Sequence, residues 1–113
     1  MNPDQERSGI KAGEVFDLGG MAQYVSDSII SRTLRKNEAG TITLFAFSQG
    51  QALSRHSAPF DAFVQILDGE ALIIIDEQEH VVKSGEVILM PANIPHAVHA
   101  RKDFKMLLVM LKG

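Results

Sequence analysis

From residue 28 onward, short segments rich in β-branched, aromatic and aliphatic residues alternate with turn signals, and no segment is a convincing helix. Asp68-Gly69 and Ser84-Gly85 are strong turn signals, because glycine readily adopts the positive φ that tight turns require. Short strands separated by turns at intervals of about 8 to 12 residues are typical of a sandwich or a barrel. The sequence therefore predicts an all-β fold. The predicted strands are residues 28–36, 41–48, 62–67, 70–75, 80–83, 87–90, 97–100 and 104–112.

A chain of 113 residues is expected to form one domain with one core. We expect residues 1–27 to form a tail with a short strand at 15–18, which Gly19 and Gly20 end, and one helical turn over 21–25. Residues 28–113 are predicted to form the barrel domain.

The charge pattern excludes several classes of partner. The net charge is −3 and no basic cluster is present, whereas nucleic-acid-binding proteins normally carry a basic face. The chain has no cysteine, so it has no disulfide and no thiolate ligand. Its apolar runs are too short to cross a membrane, and its polar N-terminus does not resemble a signal peptide. We therefore expect a cytoplasmic protein that binds neither nucleic acid nor membrane.

The last predicted strand is apolar on both faces over residues 104–111, which indicates that both faces are covered. With no helix available, a second copy of the chain is the expected cover on one side. Phe45, Phe47 and Phe63 are predicted to alternate away from the pocket and to add to this contact surface. The sequence thus predicts a homodimer, in which residues 15–18 could extend a neighbouring sheet.

Two blocks of sequence carry a more specific pattern, GQALSRHSAPFDAFVQILDGE and GEVILMPANIPHAVHA. They resemble the two motifs of the cupin superfamily, and the resemblance extends over residues 40–111. It implies a double-stranded β-helix, or jelly-roll barrel, of the kind found in small single-domain bacterial cupins. The matching residues are Gly50, His56, Pro59, Gly69, Gly85, Pro91, Pro95 and His96.

The resemblance also implies a ligand set for a divalent metal such as Fe, Mn, Ni or Zn, made of three histidines and one acid. His56 and His96 match two of the histidines, but Ala58 and Ala62 occupy the other two positions. Neither alanine can coordinate a metal. Asp61 could substitute only if a β-bulge near Pro59 turned it inward.

We expect His56 and His96 to face one interior pocket, although they are far apart in the sequence. His99 should face away from it, because an odd offset along a strand reverses the side chain, and His80 is expected at the surface. The remaining predicted pocket residues are apolar. They are Ala58, Phe60, Ala62, Val64, Met90, Val98 and Met106.

Two interpretations of this pocket stay open. In the first, the barrel binds a small organic molecule in its interior pocket without turnover, with at most a weakly held divalent metal on His56 and His96. The two missing ligands favour this interpretation. In the second, it is a metal-dependent enzyme of the oxygenase or isomerase type, with the ion on His56 and His96. A purely structural role is the least favoured, because burying imidazoles without a partner is costly. The sequence names neither the ligand nor the reaction, and it does not decide between catalysis and binding.

Overall fold

The computed structural model describes residues 9–112, which form two antiparallel sheets that face each other. One sheet has the strand order β1-β2-β9-β4-β7 and the other has the order β3-β8-β5-β6. This is the predicted all-β jelly-roll barrel. In residues 9–112 no helix is long and apolar enough to cross a membrane. The strands are β1 (Ile29–Asn37), β2 (Gly40–Phe47), β3 (Ala52–His56), β4 (Asp61–Asp68), β5 (Glu70–Ile75), β6 (Gln78–Lys83), β7 (Val87–Met90), β8 (His96–His99) and β9 (Phe104–Leu111).

The core lies between the sheets and follows the alternation of the strands. Val64 and Ile66 of β4 and Ile73 of β5 are fully buried there. Phe47, at the end of β2, and Phe104, at the start of β9, stack within this core, with ring centroids 4.5 Å apart and planes 16° from parallel. Alternate apolar residues of both sheets thus fill the barrel, as in other two-sheet folds.

Phe45 and Phe47 face this core, and the prediction that they face outward is wrong. The register explains the difference. Phe47 pairs directly with Phe104, and Phe45 pairs with Met106, so each shares the inward face of its partner. Of the three predicted outward phenylalanines, only Phe63 lies on the outer face, where it pairs with Val109.

A segment of the same chain covers part of the outer face of the five-stranded sheet. Ala22 packs there with Leu34, Leu44 and Ala46 in a second apolar cluster, which Leu107 of β9 joins. The second cover of β9 is therefore partly intramolecular, which the sequence analysis did not anticipate.

The predicted strand at residues 15–18 is absent, and a 3-10 helix, Leu18–Met21, begins at its end. The Gly20 N–H donates to the Asp17 carbonyl oxygen at 3.1 Å, which closes a turn instead of extending a strand. Residues 1–8 of the predicted tail lie outside the described residues. The domain boundary at residue 27 stays a prediction.

Tyr24 fastens this covering segment to the barrel. Its hydroxyl donates to Asp68 Oδ2 at 2.5 Å, and Lys105 Nζ lies 5.1 Å from the centre of its ring. Burial, the hydrogen bond to Asp68 and the nearby carboxylates raise the pKa of Tyr24, so the phenol remains a donor at neutral pH. Lys105 Nζ also donates to the Gly19 carbonyl oxygen at 2.7 Å.

The two ends of the barrel differ. At the end that we call the closed end, the Gly69 turn packs against the strand connection before β9. Gly69 has φ +72°, and a Cβ atom there would overlap the Asp103 carbonyl oxygen. Backbone hydrogen bonds from Gly50 to Ala100 and from Ser84 to Gly69 link the turns of this end. A side chain at position 69 is therefore excluded by both conformation and space.

The opposite end, which we call the mouth, is formed by the β1–β2 turn and by residues 57–60, 76–77 and 91–95. Both β2 and β4 begin beside Leu111, where β9 ends, and β7 ends beside Ala62. The Asn93 N–H donates to the Ala58 carbonyl oxygen at 2.8 Å and so joins two of these loops. The mouth therefore gathers the ends of strands from both sheets.

Candidate functional site

His56 and His96 are cross-strand neighbours at the mouth. His56 ends β3 and His96 begins β8, and the two residues pair directly in the ladder. Their ring centroids are 4.5 Å apart, with an angle of 66° between the planes. His96 is only 7% exposed, whereas His56 is exposed. The structure thus brings the two predicted histidines together, one inside the barrel and one open to solvent.

Each imidazole ring makes the same kind of hydrogen bond, from Nδ1 to a backbone carbonyl oxygen two residues earlier in the chain. His56 Nδ1 lies 2.8 Å from the Ser54 carbonyl oxygen, and His96 Nδ1 lies 3.3 Å from the Ile94 carbonyl oxygen. Because a carbonyl oxygen can only accept, each Nδ1 must donate. Nε2 of each ring then has no hydrogen-bond partner among the described residues. Such backbone bonds commonly set the tautomer of a histidine whose other nitrogen binds a ligand.

Burial lowers the pKa of His96, and the charge of His56 lowers it further, although the bond to the Ile94 carbonyl oxygen acts in the opposite direction. His96 is therefore a neutral imidazole at pH 7. With the proton on Nδ1, its Nε2 atom presents a lone pair. The site can accept a hydrogen bond at this atom from a hydroxyl, an N–H group or a protonated acid.

Asp61 does not replace the missing acid ligand. Strand β4 keeps a continuous register from Asp61 to Ile66, so no bulge in β4 turns Asp61 inward. Asp61 shares the outer face with its partner Leu111, and its Oδ1 accepts a hydrogen bond from the Ala92 N–H at 2.9 Å. This carboxylate fixes the loop before β8 and does not point into the barrel.

The residues present do not fit a complete metal centre. In the part of the chain that the structure describes, no group of three or more His, Asp or Glu side chains could hold an ion. Ala62 is buried at the interior position of the acid, and Ala58 lies in the loop after β3. The two imidazoles are therefore a partial donor set that other groups must complete.

The other predicted pocket residues divide into two groups. Val64, Met90, Val98 and Met106 belong, like Ala62, to the packed core between the sheets. Phe60 instead lies half-buried at the mouth, where it lines a separate cavity. The deep interior of the barrel is thus filled by side chains, and the accessible surface lies at the mouth.

The two histidines outside the site differ from each other. His99 is exposed and lies on the outward face of β8, as its odd offset from His96 predicts. His80 is half-buried and pairs with the inward-facing Ile73, whereas a surface position was expected. The surface position was expected because His80 lies next to a turn, but the alternation of β6 places it on the inward face.

The cavity at the mouth has a volume of about 300 Å³, and the sequence analysis did not identify it. It forms where the β1–β2 turn meets the end of β9 and the loop before β4. Because three separate segments line it, no pattern within one segment predicts it. Its lining residues are Lys36, Asn37, Gly40, Thr41, Phe60, Met110 and Lys112.

The architecture and the paired histidines define a small jelly-roll protein with a polar site at one end of its barrel. The sequence model of the cupin domain matches residues 43–111, more than half of the chain. The protein therefore belongs to the cupin family, which confirms the resemblance of its two motifs. No functionally curated protein matches the sequence.

Solved structures agree with this assignment. A conserved protein of unknown function from Streptococcus pyogenes is 43% identical, with a TM-score of 0.88 over 93% of this chain and 92% of that chain. A cupin 2 conserved barrel domain protein from Leptotrichia buccalis is 40% identical, with a TM-score of 0.84 over 86% of this chain and 47% of that one. The family supports a generic role in binding a small molecule or a metal.

Proposed function

We propose that this cupin binds a small organic molecule at the mouth of its barrel, with His56 and His96 as the polar anchors. The observation that carries the proposal is the shared hydrogen-bonding pattern of the two neighbouring rings, whose centroids are 4.5 Å apart. Both Nδ1 atoms are engaged by backbone carbonyl oxygens, so both Nε2 atoms remain for a ligand. A mostly apolar site with a few convergent polar groups is a common form of small-molecule site.

The two rings have different roles in this proposal. Buried His96 accepts a hydrogen bond from the ligand, because its lowered pKa keeps it neutral. Exposed His56 meets the ligand from the solvent side. Ala58 and Ala62 offer no competing ligand at the two positions where the motif resemblance implies one, and Met90 is the partner of Ala62 across the β4–β7 ladder.

The second candidate is a metal-dependent enzyme of the oxygenase or isomerase type. The unpaired Nε2 atoms favour it, since a neutral imidazole is a common ligand for transition metals. The missing third and fourth ligands count against it, because no acid replaces them in residues 9–112.

The metal content of the full chain separates the two candidates. We expect protein purified without chelator or affinity resin to contain much less than one equivalent of Fe, Mn, Ni or Zn by elemental analysis. Native mass spectrometry should then show an organic ligand or the free chain. One tightly bound transition ion per chain would refute the first candidate and support the enzyme.

We further propose that the protein is a homodimer, and that it is cytoplasmic with no nucleic-acid or membrane partner. The outer face of the five-stranded sheet supports the dimer, because its far side is not covered by residues 9–27. Val87, Leu89 and Leu111 are each more than half exposed there, beside Phe63 and Val109. Exposed apolar patches of this kind usually mark contact surfaces.

Light scattering tests the dimer. The wild-type protein is expected to have twice the chain mass of 12.4 kDa at micromolar concentration. Leu89→Asp should shift it to the monomer, because a carboxylate in an apolar contact is strongly unfavourable. Val81→Asp is the matched control, since Val81 is 46% exposed on the other sheet. A monomeric wild type, or equal masses for both variants, would contradict the proposed surface.

A further inference from the structure

The cavity at the mouth has basic residues at its edge. Lys36, Asn37 and Lys112 are among its lining residues, together with Thr41, and the first three are exposed to solvent. The Asn37 Oδ1 atom accepts a hydrogen bond from the Ala39 N–H at 2.8 Å, which leaves the amide N–H groups of Asn37 as donors. No carboxylate is among the lining residues. The polar groups at the opening of the cavity are thus two exposed lysine ammonium groups and an amide donor.

Neither lysine of the cavity is neutralised. Within residues 9–112 the ion pairs are Arg55 with Asp76 and Lys102 with Glu70, and neither Lys36 nor Lys112 has a carboxylate partner. Asp61 is the nearest acid in the β4 ladder, but it accepts from Ala92 and lies on the outer face. The positive charge at the cavity is therefore available to an anion.

The remaining surface of the cavity is apolar. Phe60 and Met110 line it, and Lys112 Nζ lies 6.0 Å from the centre of the Phe60 ring. The position of Lys112 is fixed by its backbone, because its N–H donates to the Ala39 carbonyl oxygen at 3.0 Å. A charged group thus stands beside an aromatic surface, an arrangement that suits a ligand with a flat apolar body and an acidic group.

Thr41 provides a separate observation. Its Oγ1 atom is buried and makes no hydrogen bond in the described structure. A buried hydroxyl without a partner is unfavourable. Because Thr41 lines the cavity, a ligand bound there would supply the missing partner.

We propose that this cavity is a binding subsite for a small organic anion, a carboxylate on an aromatic or similarly flat apolar body. The carboxylate meets Lys36, Lys112 and Asn37, and the body rests on Phe60 and Met110. The volume of about 300 Å³ is at the lower end of small-molecule sites, which restricts the ligand to a small one. The subsite does not require the histidine pair.

Titration of the full-length protein with benzoate tests the proposal. Binding is followed by calorimetry and by NMR of the methionine methyl groups, which include Met110. We expect benzoate to bind at least about tenfold more tightly than neutral benzamide, because charge-assisted hydrogen bonds are the stronger ones. Cationic benzylamine should not bind. Equal affinities for benzoate and benzamide, or no binding of benzoate, would overturn the proposal.

Variants locate the binding. Lys36→Gln and Lys112→Gln should each weaken benzoate binding several-fold. A higher salt concentration should reduce the affinity of the wild-type protein for benzoate. Lys83→Gln is the control, because Lys83 lies at the closed end of the barrel, where it is opposite Glu70 in the β5–β6 ladder. A double Lys36→Gln, Lys112→Gln variant that binds like the wild type would contradict the assignment.

Two further variants complete the test. Thr41→Val preserves the shape of the side chain but removes the hydroxyl. We expect it to weaken benzoate binding and, because an unpaired buried hydroxyl is lost, to raise the melting temperature of the free protein. A lower melting temperature together with unchanged binding would show that the hydroxyl stabilises the fold instead. His96→Ala should retain benzoate binding whether or not the histidines hold the ligand proposed above. If folded His96→Ala no longer bound benzoate, the cavity would not be the benzoate subsite, whereas the proposal that the histidines form a binding site would still stand.

Discussion

His56→Ala and His96→Ala are each expected to weaken binding of the proposed small molecule at least about tenfold while the protein stays folded. Each substitution removes one of the two Nε2 atoms that the structure leaves without a hydrogen-bond partner. A ligand that keeps its donor but loses the acceptor leaves a polar group unpaired, which costs about 1–3 kcal/mol and lowers affinity roughly tenfold or more. His96→Ala should have the larger effect, because His96 is 7% exposed and its site is the better desolvated.

His99→Ala is the matched control. His99 lies on the same strand, but it is exposed on the opposite face. Binding of the ligand recovered from the purified protein should be measured by calorimetry for all three variants, with circular dichroism as the check of the fold. If the two mouth variants bind as well as the wild type, the histidine pair is not the site and the proposed function is wrong.

Phe104→Ala is expected to lower the free energy of unfolding by about 3–5 kcal/mol, the usual cost of truncating a buried phenylalanine. Phe104 is fully buried and stacks on Phe47 at 4.5 Å, so the lost ring leaves a void between the two sheets. Domains of this size are typically stable by about 5–15 kcal/mol, so the change removes much of the total. Urea denaturation gives the value directly.

Phe63→Ala provides the comparison for this variant. Phe63 is half-buried on the outer face, opposite Val109, so its truncation opens no closed cavity. We expect a loss well below that of Phe104→Ala when both are measured on the monomer. Equal losses would mean that the interior between the sheets is not the principal core.

The fold could be predicted from local signals, and the histidine pair from a motif. Alternation sets the face of a strand, and the Gly69 turn carries the chain from β4 in one sheet to β5 in the other. His56 and His96 could be brought together only through the motif resemblance, since no local rule joins residues of distant strands. The structure then paired them directly in one ladder.

The errors arose where the answer depends on a distant partner. The segment Phe45-Ala46-Phe47 is apolar on both faces, so its alternation alone does not say which face is inward. The pairing of Phe47 with Phe104 decides it. Asp61 is the opposite case, because alternation alone places it on the outer face, where its Oδ1 accepts a hydrogen bond from the Ala92 N–H.

The covering segment and the cavity were missed for the same reason. Ala22 packs with Leu34 and Leu44, which lie on other elements of the chain, and neither stretch of sequence alone predicts this packing. The cavity combines a hairpin turn, the loop before β4 and the last strand. Such surfaces become visible only when the register of the whole sheet is known.

The separation of the two ends of the barrel makes the protein convenient for spectroscopy. Its sequence has no cysteine, so one engineered thiol could be labelled uniquely. Arg101 is exposed in the connection before β9, at the end away from both histidines. A spin label or a fluorophore at Arg101→Cys would therefore report distances between the two copies of the proposed homodimer while the mouth remains free for the proposed ligand.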